Sequence, residues 1–205
     1  MIISLGYRRQ VGKDLFYSLT KQYITGRNVH RVAFADALKD EVYERILKPD
    51  GLSRDLLDQV GKKEIFRPML QWYATSYKRN AEVGGYSNYW IDRGIEKVLS
   101  LQEQDPSAII IVSDVRFYNE ILALKNLGAI AVKINRKVEE TESSQHISET
   151  SLDDFTYMFD IIIDNNGTIE EYKDKIIDLI NGVDANQAAL MNFNDQTKVL
   201  NNSFQ

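Results

Sequence analysis

The chain has no cysteine among its 205 residues, which excludes disulfides, thiolate nucleophiles and cysteine-based zinc sites together. Histidine is almost as scarce. His146 has no clustered second histidine, so it is read as a hydrogen-bonded structural residue and not as a metal ligand. No run of about 18 apolar residues is present to span a membrane. The apolar part of the N-terminus, MIISLGYRRQ, is too short for a signal peptide. A basic excess is missing too: 30 acidic against 25 basic residues give a net charge of −5, contrary to what a duplex-coating protein carries. These absences predict a soluble, cytoplasmic, single-domain protein that engages neither membrane nor nucleic acid. Local basic clusters for a small anion remain open.

What is present is an alternation of strands and helices. Ile2-Ile3-Ser4-Leu5 reads as a buried strand ended by Gly6, followed by a helix from about Gly12 to Tyr23. Val29 to Phe34 alternates as a strand, and Asp36 is placed to cap a helix reaching about Leu47. Between Gly51 and Gln104 no strand is legible; Ser53–Val60, Glu64–Arg79 and Tyr89–Leu101 read as three helices. Ala108–Val112 is a continuous β-branched run, suited to a parallel strand covered on both faces. A helix stopped by Gly128, a strand Ile130–Ile134, a polar stretch from Asn135, a strand Ile161–Ile163 and a helix Ile169–Ile180 complete the pattern. The fold class is therefore α/β, a parallel sheet flanked by helices with a helical insert. Residues 1–182 form the domain, with the insert over about 36–104. Residues 183–205 are an Asn/Gln-rich tail.

The first chemical signal is Gly6-Tyr7-Arg8-Arg9-Gln10-Val11-Gly12-Lys13-Asp14, between the first strand and the first helix. Backbone N–H groups and a helix N-terminus there make a positive cup for polyphosphate, with Lys13 as the point charge. Asp14 stands where many such loops carry Ser or Thr facing magnesium. Five residues separate the glycines where four are usual, so Tyr7 takes the place of the first glycine or one residue is inserted. An ordinary strand–helix turn containing Gly-Lys is the alternative.

The second signal is Asp114-Val115-Arg116 at the end of the central strand, the sheet edge where ligands bind. Asp114 there can help hold magnesium, and Arg116 can offset charge on a transferring phosphoryl group. Alternatively, Asp114 caps the next helix and Arg116 is solvated. Within the insert, Arg67, Gln71 and Arg79 share one helical face. Guanidinium forks suit a phosphate, an amide can read a base edge, and aromatics such as Tyr73 and Trp90 can stack on a base. Taken singly, each of those aromatics is better read as helix core. Asn135-Arg136-Lys137, leading into a polar segment over about 135–150, suits a lid. Ser148 and Glu149 are read as a cap for the turn that follows.

Together, these residues resemble the phage-type deoxynucleoside monophosphate kinases, relatives of the nucleoside monophosphate kinase group. The resemblance covers roughly residues 1 to 180. It rests on Gly12-Lys13-Asp14, Phe34-Ala35-Asp36 with Lys39, Arg67, Leu70-Gln71, Thr75, Arg79, Tyr89-Trp90, Asp114-Val115-Arg116 with Asn119-Glu120, Arg136 and His146-Ile147-Ser148-Glu149. It implies a P-loop NTPase-like core with an acceptor-binding insert and a lid, using ATP and Mg2+ on small-molecule nucleotides. Arg9, Gly12, Lys13, Asp14 and Leu15 would then bind ATP. Asp14 and Asp114 would hold the metal, and Lys13, Asp114, Arg116 and Arg136 would serve catalysis. Lys39, Arg67, Gln71, Tyr73, Arg79 and Trp90 would hold the acceptor. Leu15 replaces a Thr common after Gly-Lys-Asp, and Ala74 a Gly common before Thr75. The resemblance also suggests a bacteriophage or other viral source, hence a host cytoplasm, and a homodimer. Two other readings stay open: phosphorylation of another small acceptor, as in the animal-type phosphomevalonate kinases, and a catalytically weakened nucleotide-binding protein that acts on a partner. The base, among guanine, thymine, cytosine, uracil and modified pyrimidines, is not chosen by these residues.

Overall fold

Three apolar runs too continuous for a one-sided sheet form the middle of a sheet covered on both faces. The structure, a computed structural model, describes residues 1–6, 8–59, 61–138 and 150–202, without the side chains of Lys63 and residues 187–202. Strands β1 (Ile2–Gly6), β2 (Val29–Val32), β3 (Ile109–Val115), β4 (Ile130–Asn135) and β5 (Ile161–Asp164) lie in the order β2-β3-β1-β4-β5. Every pairing is parallel, with Ile3 opposite Ile111 on one side and Ile130 on the other.

Alternate residues of the central strands feed two cores. Ile2, Ile110, Val112 and Ala131 face a layer containing α2 (Phe34–Val42), α4 (Tyr89–Gln104) and α5 (Tyr118–Asn126). Ile3, Leu5, Ile109, Ile111, Val132 and Ile134 face α1 (Lys13–Tyr23) and α6 (Ile169–Asn202). Phe16 and Leu19 carry the apolar face of α1. Tyr172, Ile176, Leu179 and Ile180 carry that of α6, at the spacing of one helical stripe. Helix α6 continues without a break through residues 182 and 183 to Asn202. No described helix is long and apolar enough to cross a membrane.

Several elements differ from the sequence expectation. Strand β2 ends at Val32, not Phe34, because the N–H groups of Phe34 and Ala35 are taken by the Asp114 carboxylate and open α2 instead. Ala33 is consequently the N-cap residue, and Asp36 lies in the first turn. Beyond Val42 the winding widens to a π turn over Tyr43–Leu47, closed by Lys48 N–H on the Tyr43 carbonyl at 2.8 Å. The expected helix over Ser53–Val60 is a single 3-10 turn, Arg54–Leu57. The next helix divides into α3 (Lys63–Gln71), which contains Pro68, and a π segment Trp72–Tyr77. Helix α4 runs to Gln104 and strand β3 to Val115, both past their expected ends.

Helix α4 meets α2 at Gly94, where an added Cβ would stand 2.3 and 2.4 Å from atoms of the Phe34 ring. That ring is only 4% exposed, so it has little room to retreat. Alanine at Gly94 would gain about 1 kcal/mol in helix propensity but lose about 1–3 kcal/mol to overpacking. Gly94→Ala is therefore expected to lower the midpoint of denaturant unfolding. A midpoint at or above wild type would contradict close packing of the two helices.

Candidate active site

Strands β1 and β3 are neighbours, yet the helices that follow them, α1 and α5, lie on opposite faces of the sheet. That reversal opens a crevice at the carboxyl edge, where open α/β sheets bind ligands. A cavity of about 770 Å³ occupies it, a volume typical of ligand sites. Its walls are the β1–α1 loop, the β3–α5 loop, the start of α2, and α3 with the residues after it.

The β1–α1 loop is shaped by two left-handed residues, Gln10 (φ 61) and Gly12 (φ 108). Gly12 is the N-cap of α1, and no side chain caps that helix N-terminus. Uncapped first-turn N–H groups of this kind suit an anion. The loop is braced from behind: Asn165 Nδ2 donates to the Val11 carbonyl at 2.8 Å and the Tyr172 hydroxyl to the Gly12 carbonyl at 3.2 Å. Burial pushes the Tyr172 phenol far above its ordinary range, so it stays a donor. A side chain at Gly12 would strike Asn165, whose Nδ2 lies 2.4 Å from the Cβ position. The Lys13 ammonium donates to the Arg8 carbonyl inside the same loop. Arg8 in turn binds both carboxylate oxygens of Asp153 at 3.2 and 3.1 Å. Asp14 is 93% exposed at the cavity wall, with Arg31 Nε 4.0 Å away.

Asp114 caps a helix, though not the next one. Its two oxygens accept the N–H groups of Phe34 and Ala35, each at 2.8 Å, so it fastens α2 to the end of β3. Each oxygen keeps a second lone pair for another partner. The Arg116 N–H donates to Glu120 at 2.7 Å, and its carbonyl accepts from the Ser151 hydroxyl. Across the cavity the basic side chains are each held by a carboxylate. Lys39 pairs with Asp58 at 2.6 Å, Arg67 with Glu64 through two bonds of 2.7 Å, and Arg79 with Glu120 at 2.5 Å.

The cavity lining brings together Arg9, Gly12, Lys13, Asp14, Leu15, Lys39, Arg67, Gln71, Arg79, Trp90, Asp114 and Arg116. Tyr73 and Arg136 are not in it. Tyr73 is buried in the insert, its hydroxyl donating to Glu41 at 3.0 Å beside Lys78 and Tyr89. Burial opposes the Glu41 charge, but hydrogen bonds from Lys78, Tyr89 and Tyr73 hold its carboxyl below the usual value. Arg136 is exposed after β4. Tyr7 and residues 139–149, with most of the expected lid and His146, Ser148 and Glu149, lie outside the described residues. Sequence reasoning gave no role to Arg31, Ser113, Phe117 or Glu120, which also line the cavity. The available signals were position, since the last three flank Asp114 and Arg116, and the place of Glu120 among the residues that carry the resemblance.

A polyphosphate anion fits this chemistry. Seven cationic side chains line the cavity against four carboxylates, a local reversal of the chain's net charge of −5. Among the described residues, Arg79 Nε and Ser113 Oγ are buried there without a hydrogen-bond partner, an arrangement that favours a polar ligand. Asp14 and the open lone pairs of Asp114 suit Mg2+, which takes one or two carboxylates together with phosphate oxygens and water. The cap geometry yields a direct test. Asp114→Ala removes the acceptor of two N–H groups and should cost about 1–2 kcal/mol of stability, read as a lower unfolding midpoint, with Asp114→Asn recovering part of it. An unchanged midpoint in Asp114→Ala would contradict the cap.

Comparison with known proteins agrees with this geometry. The solved dephospho-CoA kinase from Campylobacter jejuni shares the fold, with a TM-score of 0.53 and 13% identity over 91% of this chain and 97% of that one. At that identity the likeness is one of fold alone. A protein of Acanthamoeba polyphaga mimivirus, described as a candidate deoxynucleotide monophosphate kinase, is 33% identical over 158 residues, 72% of this chain and 81% of the relative. The sequence model of the deoxynucleotide monophosphate kinases matches residues 67–176, more than half of the chain and including the second half of α3, all of β3 and the Asp114–Arg116 loop. The chain therefore belongs to the deoxynucleotide monophosphate kinase family, a family of phosphotransferases.

Proposed function

We propose that the chain transfers the γ-phosphoryl group of ATP to a deoxynucleoside monophosphate, giving ADP and the deoxynucleoside diphosphate. The observation that carries this reading is a single cavity joining the uncapped N-terminus of α1 to a cationic wall on α2 and α3. An oxygen of the acceptor phosphate attacks the γ-phosphorus, and the bond to the β,γ-bridging oxygen breaks. The acceptor is already an oxyanion, so no general base is required, and the protein contributes position and charge.

Gly12 and the first turn of α1 cradle the donor phosphates, and Lys13 exchanges the Arg8 carbonyl for a phosphate oxygen. Arg9 and Leu15 flank the donor. Asp14 and Asp114 would hold Mg2+, which would supply neutralisation of charge on the donor phosphates. Arg116, with Arg136 brought in from its exposed position, offsets charge on the transferring group. Lys39, Arg67 and Arg79 hold the acceptor phosphate. Gln71 reads the base edge and Trp90 shapes the wall beside it, while Tyr73 supports that wall from the core. Residues 1–182 constitute the kinase domain, with its lid over 135–150. The enzyme works in a cytoplasm, that of the host if its source is viral.

The test is ADP formation from ATP and Mg2+ against a panel of deoxynucleoside and ribonucleoside monophosphates. Turnover on one or a few deoxynucleotides is expected, and Lys13→Ala should lower kcat by about 10²-fold or more. Folded protein that binds ATP yet turns over no monophosphate would contradict the proposal. Arg67 and Glu64 form a partly exposed pair, so Arg67→Ala should change stability by less than about 1 kcal/mol. It should raise KM for the monophosphate about tenfold with KM for ATP unchanged. Equal effects on both KM values would remove Arg67 from the acceptor site.

A further inference from the structure

Among the described residues, Glu120 is the only charged residue buried in the core, at 2% exposure. Burial raises the Glu120 carboxyl above its usual value, and its partners, the Arg79 guanidinium and the Arg116 N–H, oppose that shift. They come from two separate pieces of the chain. Oε1 accepts from the Arg79 guanidinium at 2.5 Å, just after the π segment of the insert. Oε2 accepts the N–H groups of Arg116 and Phe117 at 2.7 and 3.1 Å, in the loop after β3. The Arg79 guanidinium also lies 4.2 Å over the Phe117 ring, which fixes its plane. Its Nε, buried without a hydrogen-bond partner among the described residues, remains an unused donor in a side chain that lines the cavity.

A hydrophobic pair of similar volume would serve stability about as well as this buried ion pair. What such a pair lacks is a fixed cation on the cavity wall, tied to the backbone that carries Arg116. We infer that Glu120 is a positioning residue for the phosphoryl transfer proposed above, holding Arg79 toward the acceptor phosphate and Arg116 toward the transferring group through one carboxylate. The inference rests on that reading of the cavity. The carboxylate's two oxygens serve the two halves of the site separately. Glutamine in its place offers one acceptor oxygen and one donor NH2, so it can satisfy Arg79 or the Arg116 and Phe117 amides, but not both.

The test is the kinetics of Glu120→Gln and Glu120→Asp in the full chain, with unfolding midpoints measured alongside. For Glu120→Gln, kcat is expected to fall about tenfold or more and KM for the monophosphate to rise comparably, while KM for ATP stays within about twofold. Arg79→Ala should cost less in monophosphate KM on the Glu120→Gln background than on wild type, because the two residues act as a unit. If Glu120→Gln does not fold, Glu120→Asp is expected to show the same split between the two KM values. A folded variant with a lower midpoint but unchanged kcat and monophosphate KM would reduce Glu120 to a structural role and overturn the inference. So would equal rises in both KM values. Absence of turnover by wild type on every monophosphate would overturn the kinase reading and this inference together.

Discussion

Two hydrogen bonds of 2.8 Å, from the N–H groups of Phe34 and Ala35 to the Asp114 carboxylate, join the sheet to the helical insert. Most of the site geometry depends on them. They end β2 two residues before the expected Phe34 and start α2 there. Phe34 then packs under α4 at Gly94, which places the wall opposite the β1–α1 loop. Helix capping by a carboxylate at the end of a central strand ties a local bond to the architecture of the whole cavity.

Electrostatics divides the molecule in a second way. The chain is acidic overall, yet its cavity gathers seven cations against four carboxylates. Three cations of the wall on α2 and α3 and just beyond are each held by a carboxylate: Lys39 by Asp58, Arg67 by Glu64 and Arg79 by Glu120. Such pairing lowers the conformational entropy an arginine or lysine would lose on meeting a phosphate. Away from the cavity, Glu41, Lys78, Tyr73 and Tyr89 form a partly buried polar knot that holds α2 to the π segment and α4. The insert is thus rigidified by polar contacts as well as by its core.

The central strands were legible because burial on both faces leaves long β-branched runs, as in Ile109–Val112, and the loop at Gly12-Lys13 because a glycine precedes a lysine where a strand gives way to a helix. The cavity also gathers most of the residues singled out from spacing, from Lys13 to Arg116. Long-range bonds were not legible. Nothing local in Val29–Phe34 announces that a carboxylate eighty residues away will take the Phe34 amide. Likewise, Tyr73 and Trp90 carry the same signal of an aromatic in a helix and both lie in the core, yet only Trp90 also reaches the cavity. In sequence, Glu120 is one of the residues that carry the resemblance, with no role of its own; only tertiary packing buries it and gives it Arg79.

The most direct test of one shared donor–acceptor cavity is the affinity of a linked molecule. Adenosine and a deoxynucleoside joined 5′ to 5′ by a polyphosphate chain would occupy both halves at once, and calorimetry would compare it with ATP and the monophosphate alone. A shared cavity predicts that at least one of the guanine, thymine, cytosine or uracil versions binds about 10²-fold tighter than ATP, through the effective concentration the linkage supplies. If none binds more tightly than ATP itself, donor and acceptor do not meet in this cavity.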